Sequence, residues 1–403
     1  MIVRLHPVAA QTAVRRFDSV LCFGDSDWWY HNRGHADMQF MRRFAKRCGV
    51  LYVNSLGLRA PSVSEGRMFL RRVVRKLGSF ARFLRDGGEG FSVLSPVFAP
   101  IFDGLAGVAV REALRWQLVS VLRWLGMRRP LIWVACPTAA LVIDRLPGAG
   151  VVYQLSDCYG SLQGGPAQAA LRMEQRVACR ADLTICSSER LLERARRLYG
   201  QGEYVDHGVD FELFDSAGDK NDIPQELAGV AHPIVGFFGN IDGNTIDRAL
   251  LEEVIRIRPQ YRFVLVGSMS GEFETLKRLP NVIAIPRQPY QRIPEFGAVF
   301  DVCIMPWLRN EWIEHCNPVK LKEYLALGKP VVSTPFPELR RTAALCIEAV
   351  GAEAFAAAID QALREDNESD RDKRRTWASG NTWDAKFNQV VELLKARGIQ
   401  FDA

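Results

Sequence analysis

The chain has 403 residues, a formal net charge of +6 and ordinary apolar content, which suffices for two domains of usual size. The charge is lopsided: residues 1–200 carry 29 Lys and Arg against 15 Asp and Glu, a net +14, whereas residues 201–403 carry 23 against 31, a net −8. That split argues against one uniform nucleic-acid-binding surface and points instead to an anionic membrane surface or an anionic acceptor for the first half, or to a solvated basic surface with no partner. No run of eighteen apolar residues predicts a membrane span. The nine Cys form no CxxC pair, and Cys179/Cys186 and His315/Cys316 lack zinc spacing, so reduced thiols, no metal and a cytoplasmic protein are expected.

Residues 1–17 read as a leader too weakly apolar for a signal peptide. Phe17–Phe23 is the first expected strand, followed by a polar, aromatic loop over Gly24–Asn32, a helix running to Gly49 and a strand at Val50–Val53. This is an opening βαβ unit without the G-x-G-x-x-G fingerprint of a dinucleotide site. The loop crowds Asp25, Asp27, Trp28, Trp29, Tyr30, His31, Asn32 and Arg33 at a strand's carboxyl end. Its aromatics could stack on a sugar ring, or could simply pack on one another. Residues 66–86 interleave seven basic with nine apolar residues, which fits either a helix on a membrane interface or a core-facing helix with a basic wet face. A helix over 110–127 and strands at Pro130–Val134 and Gly150–Leu155 follow. Asp157 stands just past the last of these, where a carboxylate either faces the crevice of the sheet or caps the next helix.

A polar linker over 216–232 leads to a second alternation of strands and helices, beginning at Ile234. Gly239 and Asn240 end that first strand, where a backbone close to a diphosphate needs glycine. After a strand over Asp301–Met305 comes a polar loop over 308–317. A helix then runs from Pro318 to about Leu327, with Pro in its first turn and Gly328 past its end. Lys320 and Glu323 share a face of this helix. A cation for a diphosphate and a carboxylate for two ribose hydroxyls fit that spacing, as does a plain surface ion pair. Closing helices are expected over 352–364 and 383–396.

The stretch Asn317-Pro318-Val319-Lys320-Leu321-Lys322-Glu323-Tyr324-Leu325-Ala326-Leu327-Gly328-Lys329-Pro330-Val331-Val332 resembles the donor-binding segment of nucleotide-sugar glycosyltransferases of the GT-B fold, family 4-like. It is most similar to the group around bacterial teichuronic-acid and exopolysaccharide transferases. The stretches around Ala181–Glu189, Tyr204–Phe211 and Tyr290–Phe296 carry the same resemblance. It implies an α/β protein of two Rossmann-like domains facing across a cleft: an acceptor domain over 1–215, a donor domain over 216–375, and a last helix over 376–403 returning to the first, with Trp377 and Trp383 at that junction. The expected activity is sugar transfer from a nucleoside diphosphate to a lipid-linked, glycan or other hydroxyl acceptor, without a metal or cofactor. A peripheral place on the inner face of the plasma membrane goes with it.

The residue chemistry and the resemblance together give expected donor contacts from Gly239, Asn240, Arg309, His315, Asn317, Lys320 and Glu323, acceptor contacts from Trp28, Trp29 and Arg33, and a base at Asp157. One position departs from the family, which carries two Glu eight positions apart: Glu323 fits the second, but the first falls on His315, beside Glu314. Stereochemistry is therefore open between inversion through Asp157 and retention with the diphosphate oxygen as base. A catalytically silent protein of the same fold, acting as a binding or scaffold partner, is the alternative from another class.

Overall fold

The computed structural model describes residues 14–29, 34–56, 78, 82–88, 90–98, 104–158, 167–218 and 223–402. Strands β1 (Arg15–Phe17) and β2 (Ser19–Phe23) come first, then α1 (Ala36–Ala45) and β3 (Gly49–Val53). β4 (Leu84–Asp86), β5 (Ser92–Leu94), α2 (Gly104–Trp124), β6 (Pro130–Val134) and β7 (Gly150–Leu155) follow. The first half closes with α3 (Ala167–Arg180), β8 (Leu183–Cys186), α4 (Glu189–Tyr199) and β9 (Glu203–Tyr204). Among the described residues these strands form a sheet in the order β4-β5-β3-β2-β6-β7-β8-β9, parallel except for the β4–β5 pair. Continuous apolar runs such as SVLCF and PLIWV are buried at every position, as a sheet covered on both faces requires.

The second half begins with α5 (Phe211–Gly218), β10 (Ile234–Phe238), α6 (Arg248–Ile257), β11 (Arg262–Val266), β12 (Val282–Ile285) and α7 (Ile293–Val299). It continues with β13 (Val302–Met305), α8 (Glu311–His315), α9 (Val319–Ala326), β14 (Val331–Ser333) and β15 (Cys346–Glu348). Helices α10 (Ala352–Glu365), α11 (Glu368–Ser379) and α12 (Trp383–Ala396) and strand β16 (Ile399–Phe401) complete it. Its parallel sheet runs β12-β11-β10-β13-β14-β15, the doubly wound order whose direction reverses between β10 and β13. The first sheet reverses between β2 and β6. Both reversals open a crevice at the carboxyl ends of their strands.

Several expectations change. The first expected strand is broken: β1 pairs in parallel with β16, so the two ends of the described chain are tied together. The loop over 308–317 contains α8, capped where the Asn310 side chain accepts the Ile313 N–H. α11 was not foreseen. Most of the basic stretch 66–86 lies outside the described residues, and its last three residues form strand β4 rather than a helix, because interleaved apolar and basic residues satisfy a two-residue period as well as a helical one.

A buried ionic cluster joins the halves. Asp206, in the crossover, takes the Lys322 ammonium of α9 at 2.6 Å and the Lys386 ammonium of α12 at 2.5 Å. Burial pushes the Asp206 carboxyl up, but the two ammoniums outweigh it and hold it below the ordinary value. A carboxylate held down in the fold contributes stability above its unfolded pKa, and that contribution is lost as pH falls. Removing one partner of a buried pair strands the other charge, at a cost of about 3–5 kcal/mol. Asp206→Ala is therefore expected to lower the unfolding free energy by about that amount in chemical denaturation at neutral pH. Its gap from the native protein should narrow in acid, and an unchanged midpoint would remove the cluster from the stability argument.

Candidate active site

A cavity of about 780 Å³ lies between the two crevices, lined from the first half by Asp25, His35, Asp37, Gln154, Ser156, Asp157 and His207 and from the second by Gly239, Asn240, Asp242, Glu311, Trp312, Lys320 and Glu323, among others. The second-half wall is built on α9. Its Tyr324 hydroxyl accepts the Phe238 N–H at 3.1 Å, which locks the buried helix face onto the end of β10. The same helix then turns Lys320 and Glu323 toward the cavity.

The Lys320 ammonium lies over the Phe237 ring at 4.4 Å and the Trp307 ring at 5.5 Å, and among the described residues no carboxylate pairs with it. Burial lowers its pKa to about 8, against the pull of Glu323 and Asp242. Glu323 is 6% exposed. Burial raises its carboxyl to about 7, opposed by the Tyr290 hydroxyl and Lys320. That hydroxyl faces the carboxylate without completing a hydrogen bond. Gly239 has φ +136°, and a Cβ there would fall 2.6 Å from the Lys320 nitrogen. Any side chain at 239 would be strained and would displace the ammonium.

On the other wall, Asp157 follows β7 at the sheet's carboxyl end and lines the cavity. Burial raises its carboxyl to about 6, and among the described residues it has no hydrogen-bond or ion-pair partner. Asp37 accepts the Asp25 N–H at 3.1 Å and the Tyr52 hydroxyl at 2.7 Å, which fixes the start of the loop after β2.

His207 joins the two walls. Its Nδ1 stands 2.7 Å from the Asn317 carbonyl. A carbonyl only accepts, so Nδ1 carries the proton and Nε2 is bare. Nε2 has no hydrogen-bond partner among the described residues. Burial lowers the ring's pKa to about 4, with Lys322 adding to the effect, so the imidazole is neutral at physiological pH.

Of the residues expected at the site, Asp157, Gly239, Asn240, Lys320 and Glu323 meet at this cavity. Others do not. Trp28 is 1% exposed, donates its indole N–H to the Gly87 carbonyl at 3.1 Å and packs on Tyr52 and Phe91, so it is a core residue and not a sugar platform. Trp29 stacks under Arg82 at 5.1 Å, outside the cavity lining, and Arg33 lies outside the described residues. Arg309 is exposed and off the cavity wall. His315 turns away, its Nδ1–H bonded to the Glu311 carbonyl at 2.8 Å, and Glu311 and Trp312 of the same helix line the cavity in its stead. The Asn317 amide donates to the Ser187 carbonyl at 2.9 Å and to Glu338 at 3.3 Å, so it clasps the two halves together. His207, Tyr290 and Glu311 were not read as site residues. His207 and Tyr290 do lie in two of the stretches that carry the family resemblance, which was the available signal.

Residues 232–365 match the family model described as glycosyl transferases group 1. The chain is 28% identical over 293 residues to TuaH of Bacillus subtilis (strain 168), named for teichuronic acid biosynthesis, covering 68% of this chain and 72% of that one. Among solved structures, Anabaena HepE in complex with UDP and glucose superposes with a TM-score of 0.64 at 18% identity, covering 94% of this chain and 100% of that one. Sucrose-phosphate synthase of Thermosynechococcus elongatus gives 0.69 at 15% identity, over 94% of this chain and 99% of that one. The alternating α/β order and the paired crevices are those of the GT-B fold, the second half carries a glycosyl transferases group 1 domain, and the chain is a nucleotide-sugar-dependent glycosyltransferase.

Proposed function

We propose that the enzyme moves a sugar from a uridine diphosphate donor to a hydroxyl of a lipid-linked or glycan precursor of a bacterial surface polysaccharide, at the cytoplasmic face of the membrane and without a metal. The observation that carries the donor half is Lys320: a half-buried ammonium between the Phe237 and Trp307 rings, with no paired carboxylate among the described residues, is costly unless an anion arrives. The uridine base rests on likeness to HepE, solved with UDP-glucose, and the polysaccharide context on likeness to TuaH. In this reading Lys320 and the free N–H groups at the start of α9 neutralise the leaving diphosphate. Glu323 accepts the ribose hydroxyls. Asp157, unpartnered on the facing wall, takes the proton of the attacking hydroxyl.

The two pKa shifts on α9 set a pH optimum for donor binding. Glu323 binds ribose best as a carboxylate, so affinity rises as pH passes about 7. Lys320 binds the diphosphate only when protonated, so affinity falls as pH passes about 8. Calorimetry with the tightest binder from a panel of UDP-sugars is expected to give a maximum between these values. Lys320→Met should remove the alkaline limb and Glu323→Gln the acidic one; a flat profile in the native protein would contradict both roles. Glu323→Ala is expected to weaken the donor by about 1.5–3 kcal/mol, the worth of hydrogen bonds to a charged group.

Asp157→Asn keeps the shape of the side chain and removes the base. Transfer is expected to fall by roughly 10²–10⁴-fold with donor affinity unchanged, and in the native enzyme the rate should rise as pH passes about 6. A variant that transfers at the native rate would move the proton to the diphosphate oxygen, as in a retaining mechanism.

A further inference from the structure

Helix α2 turns an apolar face to solvent. Its inner side, with Leu114, Leu118, Val121 and Leu122, belongs to the core under the first sheet. On its outer side Leu105 is 90% exposed, Trp116 68% and Trp124 75%, with Val108 at 45%. At 100° per residue, Leu105, Ala109, Trp116 and Arg123 fall within roughly 40° of one another, directly opposite Leu114. A surface helix ordinarily keeps that strip polar, yet Glu112 is the single acidic residue in the 21 of this helix. Val97, 51% exposed, extends the face, because the Gln117 side chain grips both its N–H, at 2.9 Å, and its carbonyl, at 2.8 Å.

A cleft of about 430 Å³ flanks this ridge. Among the described residues, Arg111, Arg115, Arg145 and Arg176 line it, with Glu112 and Asp144 as the acidic ones. Glu112 is held by Arg115 at 2.9 Å and by Arg145, and Asp144 by Arg176 at 2.6 Å, so each of these two carboxylates is already engaged by arginine and the cleft is basic in character. Exposed tryptophans beside arginines are the composition that settles at the boundary between headgroups and acyl chains. The charge of the chain agrees: its basic half is drawn to an anionic surface while its acidic half is repelled.

We propose that the outer face of α2, with Val97 and the arginine cleft, seats the enzyme on an anionic lipid bilayer. α2 joins parallel strands, so its first residues lie at the carboxyl edge of the sheet, where the catalytic crevice opens. Docking there would bring the crevice to the membrane surface. That consequence rests on the reading of a lipid-linked acceptor; the docking itself does not.

The test uses the full chain and vesicles of phosphatidylcholine with and without phosphatidylglycerol. The native protein is expected to co-sediment with the anionic vesicles, to leave them in high salt, and to ignore the neutral ones. The double variant Trp116→Ser, Trp124→Ser should lose about tenfold or more in partition, with its thermal midpoint and its affinity for UDP unchanged, since both rings point into solvent. Failure of the native protein to bind anionic vesicles, or equal partition of the variant, would overturn the proposal. So would light scattering that shows a native dimer and a monomeric variant, because the ridge would then be a contact between copies. UDP titration of the native protein, without vesicles, tests the donor reading separately.

Discussion

Two lysines on one short helix sit in opposite electrostatic situations. Lys320 and Lys322 stand two positions apart on α9 and so point to different sides. Lys322 is satisfied: it pairs with Asp206 at 2.6 Å and donates to the His207 carbonyl. That pairing ties α9 to the crossover between the halves, and Lys386 brings the last helix to the same carboxylate. Lys320 has aromatic faces on two sides and, among the described residues, no paired carboxylate. The paired lysine fixes where the helix sits, so the unpaired one is held at the cavity wall before any ligand arrives. In the proposed reaction, positive charge placed in advance is what makes electrostatic stabilisation of the leaving group cheap.

The two halves are held by polar groups that would be expensive to leave unmade. Ser188 donates to the His315 carbonyl at 2.7 Å, the Glu189 N–H to Glu338 at 2.6 Å, and the Asn317 amide to both Ser187 and Glu338. The C-terminal segment adds an apolar seam. Trp383 is fully buried against Phe40 and the His207 ring, and Phe387 packs on Phe44. Gly208 must be glycine for this seam to close, because a Cβ there would lie 2.5 Å from the Trp383 nitrogen. The last helix is therefore a strap across the crossover, and the cavity walls keep their spacing through it.

What could be read from the sequence follows from how local each feature is. The alternation of strands and helices, the boundaries of α9 and the shared face of Lys320 and Glu323 depend on near neighbours, and all are present in the structure. Trp28 could not be placed, since an aromatic in a loop has the same composition whether it faces a sugar or, as here, Tyr52 and Phe91. Asn317 could not be recognised as a clasp, because its partner Ser187 lies 130 positions away. The pairing of β1 with β16 is likewise a matter of distant segments, each too short to declare itself.

The departure at His315 coincides with a change in which residues of its helix line the cavity. Its Nδ1–H bonds the Glu311 carbonyl, one turn back, and the ring is not part of the cavity lining. The same helix nevertheless offers the cavity a carboxylate from Glu311 and a ring from Trp312. α8 exists because Asn310 caps it and also donates to the Asn244 carbonyl, which anchors its first turn beside the loop after β10. A carboxylate in that first turn sits where the helix dipole favours negative charge. Glu311 thus adds an acidic residue to the same wall as Lys320, although the residue at the family's usual position does not line it.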